Sequence, residues 1–131
     1  MKSRDTLLRL KRFQVDEKRR RVSQIDMMIA EFSRIIAELD REILAEETRA
    51  GITDAAHFAY PTYARAARNR RDNLKRSTLD LRGQMDEARA RLQEAIAEFD
   101  KAQSLDGREK AAERVGEAMR ADLEGPLAAR A

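Results

Sequence analysis

The sequence predicts an all-α protein, a long antiparallel two-helix coiled-coil hairpin with a short C-terminal helix and a frayed tail. Three observations carry this expectation. Leu8, Val15, Val22, Ile29, Ile36 and Ile43 place an aliphatic residue on the same heptad position six times in succession. Residues 51–63, GITDAAHFAYPTY, hold the densest cluster of helix breakers. Charge alternates in blocks: residues 1–21 carry +6, residues 22–50 carry −4, residues 65–76 carry +5 and residues 77–106 carry −3. An antiparallel hairpin sets each positive block beside a negative one, whereas a parallel dimer through the first helix would stack +6 on +6.

The first helix is expected over about residues 4–50. Neither Pro nor Gly interrupts residues 3–50, and Gly51 suits a left-handed cap. At 1.5 Å per residue the helix would be roughly 70 Å long. The companion heptad position reads Lys11, Lys18, Ile25, Phe32, Leu39 and Glu46, so the seam is apolar in its middle and polar at both ends. Residues 51–61 form the reversal. Thr53 or Asp54 can cap a short turn there, and Pro61 suits the first turn of the next helix, where its missing N–H costs nothing.

A second helix is expected over about residues 62–106, completing a hairpin domain of residues 1–106. Its seam is Leu74, Thr78, Leu81, Met85, Ala88, Leu92, Ala95, Phe99 and Ala102, which sets small residues against the bulky Ile and Phe of the first helix. Gly83 falls on the outer face. Met27 and Met28 read as seam filling beside Ile29. At Leu105-Asp106-Gly107 the seam loses register, because Val115, Met119 and Leu123 form a new stripe out of phase with Phe99. A kink or separate short helix is therefore expected over residues 107–124, followed by a flexible tail over 125–131 that contains Gly-Pro.

Composition excludes several classes. Leu, Ile, Val and Phe together make up 26 of 131 residues, too few for a conventional large core. With no Cys and one His, thiol chemistry, disulfides and imidazole metal clusters are not expected, and no cofactor is called for. Gly-rich phosphate loops and GxSxG are missing, and the carboxylates are scattered as helix-surface pairs, so an enzyme with a small-molecule substrate is not expected. The opening MKSRDTLLRLKRF interleaves basic residues with leucines and has no unbroken apolar stretch, which reads as neither signal peptide nor membrane span. A cytoplasmic protein is expected.

Two features are candidates for partner binding. The first is the basic start of the first helix, with Arg9, Arg12, Phe13, Lys18 and Arg19; it could meet an acidic protein surface or simply balance the acidic second helix. The second is the loop aromatics Phe58, Tyr60 and Tyr63, which at a thin hairpin tip either pack across the turn or serve as anchors. Arg65, Arg68, Arg70, Arg71, Lys75 and Arg76 form a further basic cluster opposite the acidic half of the first helix, and His57 reads as an ordinary loop residue.

The opening SRDTLLRLKRFQVDEKRRRV, together with HFAYPTYARAARNRR at the loop and second-helix start, resembles the FliJ family of the bacterial flagellar export apparatus. The resemblance covers the long helices. It implies a coiled-coil stalk, similar to the central shaft of rotary ATPases, that couples ATP hydrolysis and proton-driven export by contact and has no chemistry of its own. The implied partners are the hexameric export ATPase FliI, the export gate protein FlhA and export chaperones. The implied location is the inner face of the cell membrane at the flagellar base, held there through those partners. In the family's orientation, the first turns of the first helix and residues around 95–120 enter the ATPase ring and the loop faces the gate. The C-terminal GREKAAERVGEAMRADLEGPLAARA departs from the family, being Gly-punctuated and without a long basic tail.

The alternatives are a basic helical-hairpin nucleic-acid binder and a generic coiled-coil adaptor or holdase. Against the nucleic-acid reading, the two basic clusters lie some 45 residues apart with acidic segments opposite them, and aromatics do not interleave with them as stacking platforms would.

Overall fold

The computed structural model describes residues 3–130, with side chains as far as Glu124. Two helices, α1 (Ser3–Ala50) and α2 (Thr62–Arg130), pack together as a helical hairpin, and the described residues contain no strand. Contacts divide the chain into two compact units, one formed by residues 19–90 and the other by the first 18 residues with residues 91–131.

In the unit of residues 19–90, α1 ends in a full Schellman motif. Gly51 takes φ +68, its N–H donates to the Thr48 carbonyl at 3.3 Å, and the Ile52 N–H donates to the Glu47 carbonyl at 3.3 Å. A side chain at that φ would strain the backbone, which explains Gly at this position. Asp54 then builds an Asx turn, its Oδ1 accepting the Ala56 N–H at 2.9 Å, while its carbonyl accepts the His57 N–H at 3.0 Å. These are turns, not a capped helical segment. Pro61 stands just before α2: its carbonyl accepts the Arg65 N–H at 3.0 Å, the first bond of the helix.

Two apolar clusters hold this unit. Ile25, 1% exposed, packs with Leu81, Met85 and Ala88, and Val22, Ile29 and Phe32 close around them. Further along α1, Leu39 and Ile43 pack with Ala67, Ile35 and Leu74. Moving forward along α1 therefore means moving back along α2, which is antiparallel pairing. None of the twelve residues on the two heptad positions of α1 is exposed, and the same holds for the α2 seam from Leu74 to Ala102. The α2 seam also continues backward through Arg71, Ala67, Ala64 and Tyr60 with the same alternation of three and four. Thr78 sits in it because its hydroxyl donates to the Leu74 carbonyl at 2.8 Å, leaving only its methyl to the neighbouring helix.

Met27 and Met28 do not fill the seam. They are 66% and 44% exposed, because they fall between Ile25 and Ile29 on outer heptad positions. Gly83 faces outward, with nothing near where a Cβ would stand.

In the other unit, Val15 and Ala95 are buried, and Lys11 pairs with Glu98 at 2.9 Å. The expected break at 105–107 is not found: α2 runs through it without a separate C-terminal helix. Three and then four residues after Phe99 the seam reaches Ala102 and Asp106, so the register is kept and a charge occupies the next inward position. Asp106 is 8% exposed, with Arg4 Nε 3.0 Å from its Oδ1 and Lys110 Nζ 3.0 Å from its Oδ2. No proline occurs in α2 before Pro126, and one exposed Gly costs about 1 kcal/mol, which the ion pairs around it offset. Of the tail expected over 125–131, α2 takes in the backbone as far as Arg130, and its side chains lie outside the described residues.

Candidate functional site

The basic half of α1 separates into two populations. Arg4, Lys11 and Arg21 turn toward α2. Arg4 also meets Glu109 at 3.1 Å and grips Glu113 with two bonds of 3.1 and 3.2 Å; these carboxylates, Glu113 foremost, raise its pKa above the ordinary arginine value. Lys11 holds the Glu98 carboxyl below its usual 4.5 through a direct hydrogen bond. Arg21 donates to Gln84 at 3.3 Å.

Arg9, Arg12 and Arg19 are exposed instead, and none of them forms an ion pair with another described residue. Arg9 and Arg12 line an open groove of about 340 Å³ together with Asp5, Leu8, Phe99 and Gln103. The Arg12 guanidinium lies 5.4 Å from the centre of the Phe99 ring, a cation–π contact made by a side chain that remains exposed. Phe13 is 54% exposed on the same stretch of helix. Lys18 is half-buried among Glu17, Arg91, Glu94 and Glu98 and is less accessible than the spacing of the basic run implied. Arg19 belongs to the unit of residues 19–90 and is described with it.

The folded carboxylate value of Glu98 lies below the ordinary one, so folding favours the charged form. The Lys11 pair therefore contributes to stability above about pH 4.5, and the contribution is lost as the pH falls through the folded value. Titration of the Glu98 carboxyl by NMR should give a midpoint below 4.5 that returns to the ordinary range in Lys11→Gln. A midpoint unchanged by the substitution would remove the pair.

The three loop aromatics take three different environments. Phe58 is 96% exposed, and its ring is stacked on His57 at 4.8 Å. His57 is in turn held by the loop, its Nδ1 accepting the Ala59 N–H at 3.0 Å and its carbonyl accepting the Tyr60 N–H at 3.1 Å. Tyr60 is buried at 4% exposure; its hydroxyl donates to Glu47 at 3.0 Å, and Arg65 and Arg68 lie over its ring at 5.5 and 5.8 Å. Burial, reinforced by that hydrogen bond, raises its pKa. Tyr60 is thus part of the turn's packing and cannot serve as an exposed anchor. Tyr63 is half exposed and tied to Glu42 by a 2.8 Å hydrogen bond, which raises its pKa in the same direction. Phe58 alone of the three presents a whole aromatic ring.

The second basic cluster is largely engaged within the chain. Arg71 bonds Asp40 at 3.0 Å across to α1 and Asp72 at 3.2 Å, Arg76 bonds Asn73, and Arg65 and Arg68 cover Tyr60. Among the described residues no three His, Cys, Asp or Glu side chains are grouped to hold a metal ion, and no helix is long and apolar enough to cross a membrane.

No protein-family model, curated protein or solved structure matches the chain. The fold and the exposed side chains define a class: an all-α helical hairpin whose outward chemistry includes exposed arginines early in α1 and a projecting aromatic pair in the loop.

Proposed function

We propose that this protein is a non-enzymatic coiled-coil stalk of the flagellar type III export apparatus, linking the export ATPase FliI to the export gate protein FlhA and meeting export chaperones. It would work in the cytoplasm at the inner face of the cell membrane, held there by its partners. The resemblance of the two long helices to the FliJ family suggests the role. The observation that carries it is the division of the basic residues of α1. Arg4, Lys11 and Arg21 are spent on α2, while Arg9, Arg12 and Arg19 remain exposed without ion-pair partners among the described residues. Cations left unpaired on a packed helix face complement an acidic ring surface and speed encounter with it. Phe58, a large apolar ring held outward by an ordered loop, is suited to a different kind of contact, insertion into an apolar pocket such as one on the gate.

The test is capture of the purified export ATPase by the full chain. Charge reversal of Arg9, Arg12 and Arg19 to Glu is expected to weaken binding at least tenfold and to reduce swimming motility. Phe58→Ser should leave ATPase capture intact. Retained capture by the charge-reversed protein, with its helicity confirmed by circular dichroism, would reject the ring assignment. Normal swimming with both variants would reject the stalk.

A further inference from the structure

We propose that the last third of α2 carries a self-association surface on which a second copy of this chain docks antiparallel. Arg108, Val115 and Asp122 recur at a spacing of seven residues, two helical turns, and so share one line along the helix. Ala111 and Ala118 flank that line on one side and Ala112 and Met119 on the other. All seven residues are exposed, Val115 and Met119 to 59% and 61%. The stripe does not prolong the seam with α1. Continuing the seam from Asp106 by three and four residues leads to Glu109 and Glu113, which answer Arg4, and the stripe lies on another side of α2. Neither Arg108 nor Asp122 has an ion pair or hydrogen bond with another described residue.

The charge pattern selects the occupant. Arg108 and Asp122 stand at equal distances on either side of Val115 and carry opposite charges. An antiparallel second copy with Val115 against Val115 brings Arg108 opposite Asp122 of the second copy, and Asp122 opposite its Arg108. The same register sets Met119 of one copy beside Ala112 of the other, large against small, and Ala111 beside Ala118 on the opposite flank. A parallel copy would stack like charge on like charge. Such self-complementarity is what a twofold isologous contact requires, since each patch must recognise itself reversed; a surface shaped for a dissimilar helix has no need of it. The stripe spans little more than four turns and three of its seven residues are alanine, so it covers less than the roughly 1,200 Å² of a standard stable interface. The association is therefore weak and concentration-dependent, and the hairpin itself closes within one chain. The proposal does not rest on the stalk reading.

Sedimentation equilibrium of the full chain over a concentration series tests it. The apparent mass should rise from 15.0 kDa toward twice that value as concentration increases. Asp122→Arg or Arg108→Asp alone should weaken association about tenfold or more, because both symmetry-related pairs become like-charged. The double variant carrying both substitutions should restore association, since opposite charges again face each other. Both positions are exposed, so helicity should be unchanged throughout. In addition, Val115→Cys should form an intermolecular disulfide under mild oxidation far faster than Gly83→Cys, placed on the open outer face of α2. A monomer at every concentration would overturn the proposal and leave the stripe to a partner of another class. Association indifferent to the charge swap would overturn it equally, because the contact would then lie elsewhere.

Discussion

Ile25→Asp should abolish the cooperative helical transition of the hairpin, whereas Met27→Asp two residues away should change stability by no more than about 0.5 kcal/mol. Ile25 is 1% exposed and is enclosed by Leu81, Met85 and Ala88 from α2 and by Val22, Ile29 and Phe32 around the contact. Truncating such a side chain costs about 2–5 kcal/mol, and a carboxylate in its place adds the desolvation of an unpaired charge. A domain of this size has a total stability of about 5–15 kcal/mol. The cations near this layer cannot rescue the charge, because they are arranged outside the seam, as Arg21 is with Gln84. Thermal unfolding followed by circular dichroism measures both variants. Equal melting temperatures for the two would mean that the helix faces are misassigned.

The second expected result concerns residues two apart in the loop that should behave in opposite ways. Tyr60→Ala should destabilise the protein by about 3 kcal/mol, the usual cost of removing a buried aromatic ring, while Tyr60→Phe should cost about 1 kcal/mol for the lost hydrogen bond to Glu47. Phe58→Ala should leave the denaturation midpoint within experimental error, since the residue is 96% exposed and its ring stacks on His57 in the loop. If the loop meets the export gate as proposed, the same Phe58→Ala change should weaken that contact by about 2 kcal/mol. Chemical denaturation and a binding titration on the same preparations separate the two effects. A destabilised Phe58→Ala protein would show that the ring packs in solution and would remove it as an anchor.

The limits of α1, the start of α2, the antiparallel pairing and most of the seam are legible in the sequence, because they follow from local rules. A heptad line of aliphatics has to be buried, Gly supplies the left-handed cap, and the block charges choose the direction. The misreading at 105–107 has a physical origin. The apolar pattern stops where the seam position holds a charge, and Asp106 becomes an inward residue only because Arg4, about a hundred residues earlier, reaches it. A signal was present: folding the numbering about the loop sets Arg4 opposite Asp106 and Lys11 opposite Glu98. Met27 and Met28 lie outside the seam for a simpler reason, since adjacency to Ile29 along the chain says nothing about which side of a helix a residue occupies.

For the candidate site, the sequence by itself determined which residue types were present and roughly where, a basic run early in the first helix and three aromatics in one turn. Only the tertiary structure decided which of them are available. The polar groups of Arg4, Lys11 and Arg21 bond to α2, while Arg9 and Arg19 stay exposed and Arg12 meets α2 only through the Phe99 ring, and Tyr60 is consumed by the turn while Phe58 projects from it. Periodicity identifies the buried face of a helix from the chain alone. Which exposed or bordering side chain finds a partner depends on the residue that the reversal brings across from it, and that partner lies far away in sequence.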